Sequence, residues 1–272
     1  MFYTPTARRG ILRSAFITGE TIFHATVRSI RKGHGNAIIG LIMNMLQTLM
    51  LVTVFYLLMS VASMRSFAIR GDFVLYVMSG IFIYMTHIKT VSAVASAEGP
   101  TSQMMKHAPM NPIIAVAAAA FGSLYNQALS AAVVLFIYHS VVTPIHIDNP
   151  VMTGAMFMLA WASGAAIGLI GYAATPWNPS LVKLLVSLYT RINMVASGKM
   201  FLANTLSAAM LGMFDWNPLF HIIDQIRGFV FLNYSPHNTE LAYPVEVTLV
   251  CLVIGMMGIF YTRRYASMSW GV

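Results

Sequence analysis

The sequence predicts an all-α integral membrane protein: an N-terminal amphipathic interfacial helix, six transmembrane helices, and a re-entrant helix pair before the last span. Three observations carry this. Of 272 residues, 58% are hydrophobic and only 9% charged, against roughly 25% charged in soluble domains. So few charges cannot cover a water-facing surface, and lipid must solvate much of it. The apolar residues also gather in runs long enough to cross a bilayer, separated by short polar breaks. Finally, the net charge of +8 is concentrated at the ends: six of the 16 Lys and Arg precede residue 33, and Arg263 and Arg264 follow the last apolar run. That is the pattern of basic ends kept in the cytoplasm, not of a nucleic-acid surface. Both termini are therefore expected on the cytoplasmic side of the inner (plasma) membrane.

Ile11 to Lys32 alternates with helical period. Ile11, Leu12, Phe16, Ile22, Phe23 and Val27 share one side and Arg13, His24, Arg28 and Arg31 the other. Such a helix suits the membrane surface, its basic side toward anionic headgroups. Residues 1–35 thus form a cytoplasmic N-terminus. No cleavable leader is expected, because Arg8, Arg9 and Arg13 are not followed by a continuous apolar core and a cleavage site.

Residues 36–264 form one membrane domain. Span one is expected at about Ala37–Val61 and span two at about Phe73–Ala97, its second half carrying His87 and Lys89. Glu98 to Pro112 is a polar break with room for a two-turn helix between Pro100 and Pro109. Span three follows at about Ile113–Val142. Span four, about Val151–Ala174, holds Gly164 and Gly168 at the spacing that lets helix backbones approach closely. Span five runs from about Leu181 to Lys199.

Phe201–Phe214 and Leu219–Leu232 then read as two helices of roughly 13 residues, about 20 Å each. A crossing needs about 20 residues, so the pair is expected to re-enter and to be packed in protein. Asn217 caps the second piece and Pro218 begins it. Span six runs from about Tyr243 to Tyr261, and 265–272 is a cytoplasmic tail. Five of the eight acids (Asp72, Asp148, Asp215, Glu240 and Glu246) fall in or beside the outer loops.

Catalytic signatures are sparse. Gly198-Lys199 lacks the upstream glycine of a phosphate-binding loop, and Met200 stands where a hydroxyl residue is needed. No Cys/His cluster has metal spacing, and the single cysteine, Cys251, excludes an internal disulfide framework. Trp161-Ala162-Ser163-Gly164 resembles the serine setting of rhomboid intramembrane proteases. That chemistry takes its histidine from the sixth span, and Tyr243–Tyr261 contains none, so Ser163 is expected to serve helix packing. No catalytic residue, metal or cofactor is expected in this chain.

The segment Asn217-Pro218-Leu219-Phe220-His221-Ile222-Ile223-Asp224-Gln225-Ile226-Arg227 resembles the signature near the C-terminus of type-2 ABC exporter permeases for polysaccharides, the capsule, O-antigen and teichoic-acid exporters. Arg191 and Ser197-Gly198 with Phe201 resemble that family's close of span five, and the order of elements agrees over nearly the whole chain. Two departures stand out: Leu202–Met213 lacks the proline common in the first re-entrant helix, and no Arg-Asp pair precedes span five.

The resemblance implies a homodimeric permease without catalytic residues, paired with two cytoplasmic ABC ATPase subunits that hold ATP and Mg. It makes 99–110 a coupling helix, with Pro100, Met104, Met105 and Lys106 seated in the ATPase groove. The glycan would pass between the permeases, toward periplasmic export proteins. Candidates for its path are Tyr84, Trp161, Tyr189, Asn193 and Asn204, with Trp216 and Tyr234 at the outer mouth. The intramembrane ionisable residues His87, Lys89 and Arg191 join them, because charge in lipid is costly and marks pathways or partners. Alternatives are a type-2 permease for a lipid or drug and, from another class, a membrane-embedded enzyme using His87 or the outer loop.

Overall fold

The computed structural model describes residues 11–32, 37–61, 72–98 and 112–265. Among these the chain is helical without a strand. The helices are α1 (Ile11–Lys32), α2 (Ala37–Val61), α3 (Phe73–Ala95), α4 (Pro112–Val141), α5 (Pro150–Ala174), α6 (Pro179–Ala196), α7 (Ala208–Phe214), α8 (Pro218–Val230) and α9 (Ala242–Tyr265), with a short 3-10 turn at Ala203–Thr205. Five of them, α2, α3, α4, α5 and α9, are long and apolar enough to cross a membrane. The expected fifth crossing, α6, has 18 residues and carries Lys183 and Arg191, which keeps it out of that set.

Side-chain caps fix most helix starts. Asn149 accepts from the Met152 amide (3.1 Å) ahead of Pro150, Asn178 from Leu181 (3.0 Å) ahead of Pro179, and Asn217 from Leu219 (3.1 Å) ahead of Pro218. The asparagine satisfies an orphan amide, while proline needs none and arrives with helical φ. Asp72 caps α3 through the Val74 amide (2.9 Å) and also accepts from Tyr138 (2.6 Å) and Thr143 (2.9 Å), tying the start of α3 to the end of α4. Burial raises the pKa of this carboxyl, but the bonds from Tyr138, Thr143 and the Val74 and Leu75 amides outweigh it, so it titrates below its ordinary value.

The core is built around α3, which packs on α2, α4, α5, α6 and α8. Its tightest partner is α5. A Cβ on Gly164 would lie 2.5 Å from the His87 carbonyl oxygen, and one on Gly168 2.8 Å from that of Val91. The two glycines thus let the backbones meet, as their spacing predicts. On its other side α5 packs along α9, where Leu169 and Ala173 meet Gly255 and Gly258. The amphipathic α1 lies along α4, with Ser29 and Ile30 against Gly122.

The region between α6 and α9 corrects one expectation. Phe201–Phe214 is not a 13-residue helix: it is an extended stretch, a 3-10 turn and the seven-residue α7, capped by Ser207. The backbone of 201–206 is held by side chains from other segments instead of by a helical ladder. Asp224 accepts from the Ala203 amide (3.2 Å), and Arg227 donates to the Phe201 carbonyl (2.7 Å). The second piece matches its expected length. Its 13 residues are buried except for Gly228 and Phe229.

Candidate functional site

The best-built polar assembly lies where α6, the following turn and α8 meet α3. A helix buried on all sides must satisfy its polar side chains internally, and α8 does so through the residues of its motif, with Arg227 Nε the exception. Asn217 donates to Asn193 Oδ1 (3.0 Å) and the Ala196 carbonyl (2.8 Å). The Arg227 guanidinium donates to the carbonyls of Gly198 (3.0 Å), Lys199 (2.8 Å) and Phe201 (2.7 Å) and lies 4.3 Å from the Tyr76 ring centre. Asp224 accepts from Ala203 N, Tyr234 Oη (2.5 Å) and Thr239 Oγ1 (2.9 Å). Burial and the Asp224 carboxylate both push the Tyr234 hydroxyl up from its ordinary value, so it stays a donor. His221 Nδ1 accepts from the Glu240 amide (3.1 Å), which leaves Nε2 protonated and donating to the Asp215 carbonyl (2.8 Å). Asn217, His221 and Arg227 therefore bind α8 to its neighbours, and Pro218 starts it.

Gly198 makes the turn possible. Its φ of +70° is left-handed, and the Phe220 ring occupies the place of a Cβ. Lys199 follows, 2% exposed, with its Nζ donating to the Met194 carbonyl and lying 3.6 Å from the Tyr84 ring centre and 5.1 Å from that of Phe55. Two aromatic faces favour the ammonium form of such a side chain where no carboxylate lies against it. Among the described residues, Ser197 Oγ and Arg227 Nε are buried without a partner.

A second buried polar cluster joins α3, α5 and α6. His87 Nδ1 lies 2.8 Å from Ser163 Oγ and 3.2 Å from the Ala160 carbonyl, and Nε2 lies 2.8 Å from the Tyr189 hydroxyl. Ser163 thus does meet a histidine, supplied by α3 and not by the last helix. Ser163 Oγ also lies 3.0 Å from the Ala160 carbonyl of its own helix; with the serine donating there, Nδ1 carries the proton toward it and has no lone pair to take the serine's. His87 is 0% and Ser163 1% exposed, so both side chains are closed off from solvent.

The remaining sequence candidates scatter. Tyr84 is buried, its hydroxyl 3.3 Å from the Thr190 carbonyl. Lys89 donates to Gln47 Oε1 (2.6 Å), bridging α3 to α2. Trp161 donates to the Ala120 carbonyl (2.8 Å) and packs on Phe121. Tyr189 holds His87, Asn193 holds Asn217, and Asn204 donates to the Ser235 carbonyl (2.8 Å). Arg191 is exposed on α6, beside the bare apolar side chains of Leu188, Ile192 and Val195. Trp216 is exposed at the α7–α8 turn, with Nε1 donating to the Met213 carbonyl (2.7 Å). Pro100, Met104, Met105 and Lys106 lie outside the described residues.

Sequence reasoning passes over Lys199 and Asp224 as site residues. Lys199 carries a usable signal, a lysine in an apolar stretch, under the same rule that singles out His87 and Lys89. No cluster of His, Cys, Asp or Glu among the described residues could hold a metal. Compared with known proteins, the chain matches no family model and no curated sequence.

Proposed function

We propose that this chain is the membrane-spanning permease of an ATP-driven exporter of a polysaccharide or lipid-linked glycan, acting as a homodimer with two separate ATPase subunits. The observation that carries the reading is α8: a half-length helix sealed inside protein, whose Asn217, His221, Asp224 and Arg227 all anchor the segments around it. One end of α8 bonds the α4–α5 turn through Asp148 and Asn149, and the other bonds α6. On this reading it starts within the bilayer and rises to one surface, as a re-entrant segment between two crossings must do.

In this reading α6, about 27 Å long, is the fifth of six crossings and α1 rests at the cytoplasmic surface. The outer faces of α2 and α6 form the path between two permeases. Each bares a row of large apolar side chains, and α6 adds Lys183 and Arg191, charges that lipid would not accept. The chain itself supplies no chemistry. ATP closure of the partner subunits would act through the segment 99–110. The burial of Ser163 and His87 counts against a membrane enzyme built on them.

The test is to delete residues 100–108. Coupled export should stop while the chain still inserts and dimerises. Undiminished export, or a functional chain that purifies without any ATPase, overturns the proposal. Stimulation of the complex's ATPase by glycans, and not by lipids or drugs, separates the cargo classes.

A further inference from the structure

A polar cavity of about 650 Å³ opens between α7, the start of α8 and the segment leading into α9. Asp215, Trp216, His237, Asn238, Glu240 and Tyr243 are among its walls. Three features make it unlike a chance crevice.

First, its aromatic wall is held in place. Trp216 is 57% exposed, yet its Nε1 is bound to Met213, and its carbonyl accepts from the Tyr243 hydroxyl (2.6 Å). The Tyr243 ring rests 4.8 Å from that of His221. His221 in turn bonds the Asp215 carbonyl on one wall and the Glu240 amide on the other, so one buried ring sets the spacing of both sides.

Second, the carboxylates are left free to work. Glu240 is exposed and so is Asp215 (55%), whose Oδ1 lies 3.2 Å from the neutral His221 ring at Nε2. Carboxylates only accept hydrogen bonds, so a ligand here must bring donors, and two of them repel an anion.

Third, the setting is polar. The cavity lies at the α8 end that bonds α6, beside the start of α9, and its acids need water or a polar solute as neighbours.

A fixed, exposed indole beside carboxylates and an amide fits a pyranose ring. Its C–H face covers the aromatic surface, and its adjacent hydroxyls donate in pairs to carboxylate oxygens. The volume falls within the range of small-ligand sites. We infer that this cavity is a binding site for uncharged sugar residues of the exported glycan, holding the chain as it leaves the path. The inference rests on the exporter reading for its biological sense, but its test needs no ATPase.

The full chain in lipid nanodiscs is mixed with gluco-, manno- and galacto-configured neutral tetrasaccharides, and saturation-transfer NMR reports which sugar protons touch the protein. At least one should receive transfer. Asp215→Asn and Glu240→Gln should each weaken it about tenfold, as the loss of charge-assisted hydrogen bonds does. Trp216→Ala should abolish transfer, and Trp216→Phe should retain part of it. A hyaluronan tetrasaccharide should not compete. Unchanged elution and near-ultraviolet dichroism show that each variant is folded.

No transfer to any neutral sugar overturns the site, as does equal binding by folded Asp215→Asn, Glu240→Gln and Trp216→Ala proteins. Binding of choline in place of sugars makes it a cation site and also overturns it. If sugars bind but deletion of 100–108 leaves export intact, the exporter reading falls and the site stands. If export is coupled but no sugar binds, the reverse holds.

Discussion

Helices α2 and α3 have nearly the same length, 25 and 23 residues, and both are apolar enough to span a bilayer, yet 89% of the most apolar window of α3 is buried against 17% for α2. What separates them is what lies between the apolar residues. The α3 helix carries Gly80, His87 and a ladder of hydroxyls at Ser79, Thr86 and Thr90, and each of these polar side chains is bonded. Gly80 admits Lys199 and Arg227 to within about a van der Waals contact of its backbone. The α2 helix meets α4 and Lys89 along one strip through Asn44 and Gln47, buries Val52 and Phe55, and leaves most of its other large apolar side chains exposed. A span that must be enclosed by protein needs polar hooks and gaps for close approach; one that faces lipid or another copy does not.

The difference can be broken most sharply from the enclosed side. Arg227→Met should be the most damaging change, taking the guanidinium donors from the carbonyls of Gly198, Lys199 and Phe201, of which Gly198 keeps the Phe201 amide, at a cost of about 3 kcal/mol or more. Its midpoint in detergent-solubilised thermal unfolding should fall furthest, and Arg227→Lys, with one point of contact, should recover only part. Gly164→Val should follow at about 1–3 kcal/mol, because a side chain there must push α5 off the His87 backbone. The same assay reads it, and Gly154→Val, at a glycine with open space, is the control.

Asp72→Asn should cost about 1 kcal/mol, the value of a cap and its partners. The wild-type contribution has a pH signature. The folded carboxyl titrates below its free value, so its stabilisation is complete above about pH 3.9 and disappears as pH falls through the folded value. The Asp72→Asn protein should lose that part of the acid sensitivity when its unfolding is followed against pH. Met50→Ala on α2, 68% exposed, should leave monomer stability within about 0.5 kcal/mol. Its effect should emerge as a weaker dimer in crosslinking, and an unaltered dimer would assign that face to lipid.

Much of this architecture is written locally in the chain. The ends of α1 and α2 are read to the residue, because a polar or basic break closes each apolar or amphipathic run. The Asn-Pro pairs at 149, 178 and 217 mark helix starts, although only the last is read as a cap from sequence. Failures come where the deciding partner is remote. Phe201–Phe214 has the composition of a helix, but Asp224 and Arg227, more than twenty residues on, take its backbone groups. Ser163 and Tyr189 lie 76 and 102 residues from His87, and no spacing rule links them. The motif at 217–227 is visible as a pattern, while its work as a set of anchors needs the carbonyls of another segment.

The turn at Gly198 has a mechanical consequence. Phe220 plugs it from one side, Arg227 grips the carbonyls of Gly198, Lys199 and Phe201, and Asn217 grips the last turn of α6. The end of α6 and the start of α8 are thereby joined at one knot, and any displacement of the last turn of α6 must be shared with, or break, the Asn217 bonds beside Trp216.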